Sequence, residues 1–167
     1  MEFIKKNLLA IIVAGAAVLA FILGIALTPI ADVEGEIKLF DLIFGINESQ
    51  TIPGYGTLKM TGAMSITGLI SFIALVAGIA LTVASIFVKD KNFDFIGAIC
   101  IAVAGVCMLL LLTVGTDLVQ SMGSQSMSMK FADTYGELDL GIGAILYGIV
   151  AILGGGFAIL NKFKKIV

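Results

Sequence analysis

The chain has no histidine, no tryptophan and no arginine, so its ten basic residues are all lysine. Without histidine there is no imidazole general base and no imidazole metal ligand. Without arginine there is no bidentate guanidinium clamp for phosphate or carboxylate. Charge is scarce: 13% of residues are charged, where a soluble domain carries about 25%. The net charge of −2 gives no basic footprint for nucleic acid, so no nucleic-acid partner is expected. Cysteine is limited to Cys100 and Cys107. On one helix that spacing puts them about 10 Å apart along the axis, beyond the roughly 7 Å between Cα atoms that a disulfide spans. In an apolar setting such thiols stay protonated and behave as small hydrophobes. The GxxxxGK[ST], GxSxG and HExxH patterns are absent, and Gly141-Ile142-Gly143-Ala144 lacks the Asp of an intramembrane aspartyl protease. No catalytic residue and no cofactor are expected.

What is present is apolar. Of 167 residues, 59% are hydrophobic, and the mean hydropathy is +1.13. Four uninterrupted apolar runs occur, at about Leu8–Ile30, Met64–Val88, Phe95–Thr116 and Leu140–Asn161, none with a charge in its interior. A bilayer core about 30 Å thick needs roughly 20 helical residues, so each run is long enough to cross. The expected fold is an all-α membrane protein: a single-domain four-span helical bundle over residues 1–167, with outer loops at about 31–63 and 117–139. Lys5, Lys6 and the small residues around Gly24-Ile25-Ala26 imitate a signal peptide. The run from Leu8 to Ile30 exceeds the 7–15 residues of a signal h-region, so a retained span is expected.

Lysine distribution gives an orientation. Lys5, Lys6, Lys89, Lys91, Lys162, Lys164 and Lys165 fall on one side of the four runs; only Lys38, Lys59 and Lys130 fall on the other. Cytoplasmic segments are enriched in lysine, so a multi-pass protein of the cell membrane with both termini cytoplasmic is expected. In the first outer loop Asp32, Glu34, Glu36, Asp41 and Glu48 outweigh Lys38 and Lys59; in the second Asp117, Asp133, Glu137 and Asp139 outweigh Lys130. The short inner connection Lys89–Asp94 makes the second and third spans antiparallel neighbours. This layout is similar to that of claudins and tetraspanins, but residues 31–63 contain no Trp and no Cys, so their diagnostic loop motifs are absent and no family is assigned.

Small side chains recur every fourth position: Ala16, Ala20 and Gly24 with Thr28; Ala74 and Gly78 with Thr82; Ala98 and Ala102; Ala144 and Gly148. Such rows let membrane helices approach closely, so these residues are expected at helix contacts. Gly154-Gly155-Gly156 is read as helix packing rather than a gate. Between Glu36 and Ile46 lie Ile37, Leu39, Phe40, Leu42, Ile43, Phe44 and Ile46. Ile37, Phe40 and Phe44 fit a helical stripe and Leu42, Phe44 and Ile46 fit strand alternation. In either form they are expected to cap the bundle or meet a partner, because each large apolar side chain left in water forfeits roughly 1.5–3 kcal/mol. Pro53-Gly54-Tyr55-Gly56 reads as a turn.

Met60, Met64, Met122, Met127 and Met129 lie outside the spans or at their edge. Thioethers suit Cu(I). No histidine or outer cysteine joins them, so packing of Met127 and Met129 on the bundle rim is expected, and no metal. Asp117 and Asp139 mark span ends, and Asn47-Glu48-Ser49 is a glycosylation sequon that matters only in a glycosylating host. Ile11–Gly15 echoes Ile101–Gly105, a weak hint that span–loop–span occurs twice. The expected function is a non-enzymatic structural, assembly or accessory component acting through helix packing and outer-loop contacts, with the bilayer and other membrane chains or copies of itself as partners. The alternative is an oligomeric pore or small transporter component, with Ser71, Thr82, Ser85 and Thr113 as lining groups.

Overall fold

The computed structural model describes residues 2–30, 38–54, 56–88, 91–135 and 137–164. Four helices are long and apolar enough to cross a membrane: α1 (Glu2–Ala26), α3 (Ile66–Val88), α4 (Lys91–Leu109) and α6 (Ile142–Lys164). Two short helices, α2 (Leu39–Phe44) and α5 (Phe131–Tyr135), lie between them. The long helices form a ring in which α3 packs on α4, α4 on α6, α6 on α1 and α1 on α3. Small residues fill the centre: Ala17, Ala20, Ala98, Ala104, Ala144 and Ala151 are buried. Large ones point outward, among them Ile12, Ile22, Ile73, Phe87, Val106, Leu153 and Phe157. A water-soluble protein does not leave that much contiguous apolar surface bare. Close backbone approach with a greasy exterior is how helices associate in lipid.

The helix ends depart from the apolar runs for local reasons. α1 stops at Ala26, short of Ile30, because Pro29 disfavours helical backbone before it. Residues 28–30 instead run extended beside 140–143, with Ile30 paired to Leu140 and the Gly141 and Gly143 N–H groups donating to Pro29 O (2.8 Å) and Thr28 O (3.0 Å). α4 stops at Leu109 rather than Thr116. The carbonyls just beyond its end find partners around the start of α3: Thr67 Oγ1 donates to Leu110 O at 2.7 Å and Ser65 Oγ donates to Leu111 O. Ser65 also caps α3, its Oγ accepting from Gly68 N–H at 3.0 Å. The inner connection is shorter than expected, since α3 ends at Val88 and α4 begins at Lys91.

The all-α expectation needs correction. The two outer segments are not loops; they build one antiparallel sheet in the order β1-β2-β3-β4. Its strands are β1 (Ile46–Ile52), β2 (Gly56–Gly62), β3 (Leu118–Met122) and β4 (Gln125–Met129). Pro53-Gly54 turns β1 into β2, and Gly54 has φ +85°. Gly123-Ser124 turns β3 into β4, with Gly123 at φ +60° supplying the left-handed position a two-residue hairpin needs. Polar stretches such as Asn47–Thr51 lack the alternation that marks a strand. They are strands because β2 pairs with β3 across more than fifty residues of chain, from Leu58↔Met122 to Gly62↔Leu118.

That ladder does not stop at the helical bundle. Ala63 N–H donates to Asp117 O (3.3 Å), Thr116 N–H to Met64 O (2.8 Å) and Ile66 N–H to Val114 O (2.9 Å). The ribbon therefore runs to the start of α3 and to the turn that follows α4. Gly62 (φ +105°) and Ala63 (φ +57°) form the bend between sheet and bundle. At Gly62 a Cβ would collide with the Asp117 carbonyl. Each half of the chain thus contains helix, hairpin and helix, but α2 precedes its hairpin and α5 follows its own. The halves are not a simple repeat.

Candidate functional site

The four hydroxyls named as pore-lining groups do not converge. Ser71 Oγ donates to Ala104 O at 2.7 Å and shares a 3.2 Å hydrogen bond with the Tyr147 hydroxyl. Thr82 donates to Gly78 O within its own helix (2.8 Å). Ser85 donates to Thr82 O (2.7 Å) and contacts the Asp94 carboxylate. Thr113 is exposed at the opposite end and donates to Leu110 O. These are hydroxyls satisfying backbone and side-chain groups of a packed interior. Ser71 and Tyr147, both buried, tie α3, α4 and α6 together at mid-bundle.

The small residues sit as follows. A Cβ on Gly24 would lie 2.8 Å from the Tyr147 ring and 3.1 Å from Leu39. Ala20, Ala98 and Ala144 are buried, and Ala16, Ala74 and Ala102 are half-buried. Ala16 faces Gly154, and Ala102 faces Gly155. A Cβ on Gly78 would meet Ile101 and, at 2.9 Å, Gly97 O; one on Gly148 would meet Leu109 and, at 3.1 Å, Gly105 O. The α3–α4 and α4–α6 crossings therefore rest on Gly78 with Gly97 and on Gly148 with Gly105. Gly97 and Gly105 are absent from the small-residue rows above. They recur every fourth residue with Ile101 between them, and that bulky member hides the pattern. Gly154 and Gly155 face neighbouring helices; Gly156 has open space.

At the sheet end, α2 lies across α1 and α3. Its deepest side chains are Leu39, Leu42 and Ile43, one step around the helix from the Phe40–Phe44 stripe. Phe40 (38% exposed) and Phe44 (57% exposed) still join a ring cluster with Phe21 of α1 and Phe72 of α3. Centroids are 6.4 Å apart for Phe21–Phe40, 6.3 Å for Phe40–Phe72 and 5.7 Å for Phe44–Phe72. Ile37, the third member of that stripe, lies outside the described residues. Lys38 N–H donates to Asp41 Oδ2 (3.1 Å), starting the helix, and Ser65 N–H donates to Leu42 O (2.6 Å), locking it to α3. On α5, burial and then the Asp41 carboxylate push the Tyr135 hydroxyl above its ordinary pKa of 10.0. Asp117 Oδ1 accepts from Phe131 N–H (3.4 Å). Asp139 lies apart, in an open groove with Leu109, Leu112 and Ile145.

The register sorts the sheet into two faces, since directly paired residues point the same way. One carries Asn47, Ser49, Thr51, Thr57, Lys59, Thr61, Ser121, Ser126 and Ser128; the other carries Glu48, Leu58, Met60, Gln120, Met122, Met127 and Met129. Among the described residues no group of three or more His, Cys, Asp or Glu side chains converges. Cys100 and Cys107 are free thiols.

No protein family, curated protein or solved structure matches this chain. Its function is therefore argued from its own surfaces. The sheet is the feature that sequence reasoning missed. A signal for it was present in Gly123-Ser124 between Leu118–Met122 and Gln125–Met129, a hairpin spacing with a turn glycine.

Proposed function

We propose that the chain is a small non-enzymatic protein of the cell membrane. It serves as a structural, assembly or accessory component for other membrane chains or for further copies of itself. The observation that carries this reading is the four-stranded sheet. Among the described residues its edge strands, β1 and β4, have no second partner, and both are largely exposed. It is joined to a packed bundle by a hydrogen-bonded ribbon that leaves it little freedom. Exposed edges are templates for another strand, and a rigid mount lowers the entropic cost of docking. The pore reading loses its support, because its four hydroxyls are engaged in separate hydrogen bonds.

The lysine split orients this sheet away from the cytoplasm, with both termini inside. Two experiments test the proposal on the full chain in native membranes. A photo-crosslinking residue at Ser49 or Ser128 is expected to give a discrete adduct of constant mass. Monomer alone at both edges, together with monomer on native gels, would sink the contact reading. A membrane-impermeant maleimide is expected to label Asn47→Cys and Ser124→Cys in intact cells; labelling only after lysis would reverse the orientation.

A further inference from the structure

Four of the seven methionines share one face of the sheet. Met60 of β2 is paired to Gln120 of β3, which is paired to Met127 of β4. Met122 is paired to Leu58 and to Gln125, so it stands diagonally next to both Met60 and Met127. Diagonal neighbours in a sheet are about 7–8 Å apart, and a methionine side chain, with three rotatable bonds, closes such a gap. Met129 lies one alternate position beyond Met127 on the same face.

Packing accounts for Met60, which lies against the buried core, but not for the two methionines of β4. Met127 is 66% exposed and Met129 38%, so neither is there to fill a core. Gln120 Nε2 donates to Met60 Sδ at 3.9 Å, which places that sulfur beside β3, the strand that carries Met122. Glu48, paired to Met60 from β1 on the same face, adds a negative charge. An open depression lined by Glu48, Ser49, Gln50 and Met60 reaches Met60 from the β1 side.

We propose that Met60, Met122 and Met127 form a thioether site for Cu(I), with Gln120 and Glu48 at its margin. Thioethers are soft, uncharged ligands that select Cu(I) over the hard cations. The sequence by itself argued against a metal because no histidine or outer cysteine accompanies the methionines. Three thioethers on adjacent strands of one face supply soft ligands without either. Binding is coordination alone, with no change of oxidation state.

The test uses the full chain in detergent, with Ag(I) as a redox-inert probe and Cu(I) under ascorbate as the ion itself. Methionine methyl NMR reads where the ion sits; calorimetry reads stoichiometry. One saturable equivalent is expected, shifting the methyls of Met60, Met122 and Met127 and leaving Met64 and Met108 in place. Met127→Leu is solvent-exposed and preserves the fold. Loss of even an outer partner weakens metal binding about 10–100-fold, so this substitution should weaken Ag(I) binding at least about tenfold, while Met64→Leu leaves it unchanged. Absence of a saturable equivalent would overturn the proposal. So would shifts spread evenly over all methionines, binding that survives Met60→Leu with Met127→Leu, or binding that disappears only with Cys100→Ala and Cys107→Ala.

Discussion

Adjacent glycines on α6 offer a controlled test of the helix packing. A methyl group on Gly155 would lie 2.5 Å from Ala98 O and 2.7 Å from Ala102 N, both backbone atoms of α4. A methyl on Gly156 meets nothing within 4 Å. Both residues are helical and neighbours in the same turn, so Gly→Ala should bring each the same propensity gain of about 1 kcal/mol. Only Gly155→Ala must also push α4 away. Overpacking of that kind costs roughly 1–3 kcal/mol, because backbone cannot rotate aside as a side chain can. The difference between the variants isolates this term. With about 2–4 °C per kcal/mol for a chain of this size, Gly155→Ala should melt roughly 2–12 °C below Gly156→Ala. Thermal unfolding in one detergent, followed by circular dichroism, reads it. Equal melting temperatures would refute the α4–α6 contact at this level and the inference drawn from every glycine at that seam.

Three further outcomes are expected. Phe40→Ser with Phe44→Ser removes two half-covered rings from the cluster with Phe21 and Phe72 and should cost roughly 1–3 kcal/mol; unchanged melting and protease resistance would mean that α2 merely rests on the surface. Ser65→Ala removes the α3 cap and the donor to Leu111 O, a loss of about 1–3 kcal/mol that Ser65→Thr should largely restore in the same melt. Tyr135 has a folded pKa raised above its ordinary 10.0, so the unfolded chain loses that proton first. The associated stability is whole below pH about 10 and declines as pH rises through the folded pKa. Denaturant midpoints measured upward from pH 9 should fall in the native chain and fall less in Tyr135→Phe.

The parts visible in the sequence were those decided by composition over a helix length. Four long apolar runs without interior charge leave few folds open, and four long helices are what the chain forms. The positions of Ala20, Ala98, Ala144 and Gly148 at buried places follow from spacing, because a row of small side chains is the same row in any helix. Gly97 and Gly105 escaped because the residue between them is isoleucine, and only the neighbouring helix shows that its bulk fits beside Gly78. The apolar density of residues 36–46 by itself demands burial. The buried face of that segment could not be chosen, since seven apolar residues satisfy helical and alternating templates alike.

The sheet marks the boundary of what sequence determines. Bilayer crossing is a one-dimensional property: each helix satisfies its own backbone hydrogen bonds, so length and apolarity suffice. A strand satisfies its backbone through another strand, and here β2 finds β3 more than fifty residues away. Nothing within Ile46–Ile52 or Gln125–Met129 declares that partner. The same pairing puts Met60 beside the strands of Met122 and Met127, and it seats the sheet through Gly62, Ala63 and the Met64–Thr116 hydrogen bonds. The amino-acid sequence alone determined the four membrane-length helices and the excluded chemistries. Tertiary structure decided which surface the chain presents, because that surface is made of residues brought together by register rather than by succession.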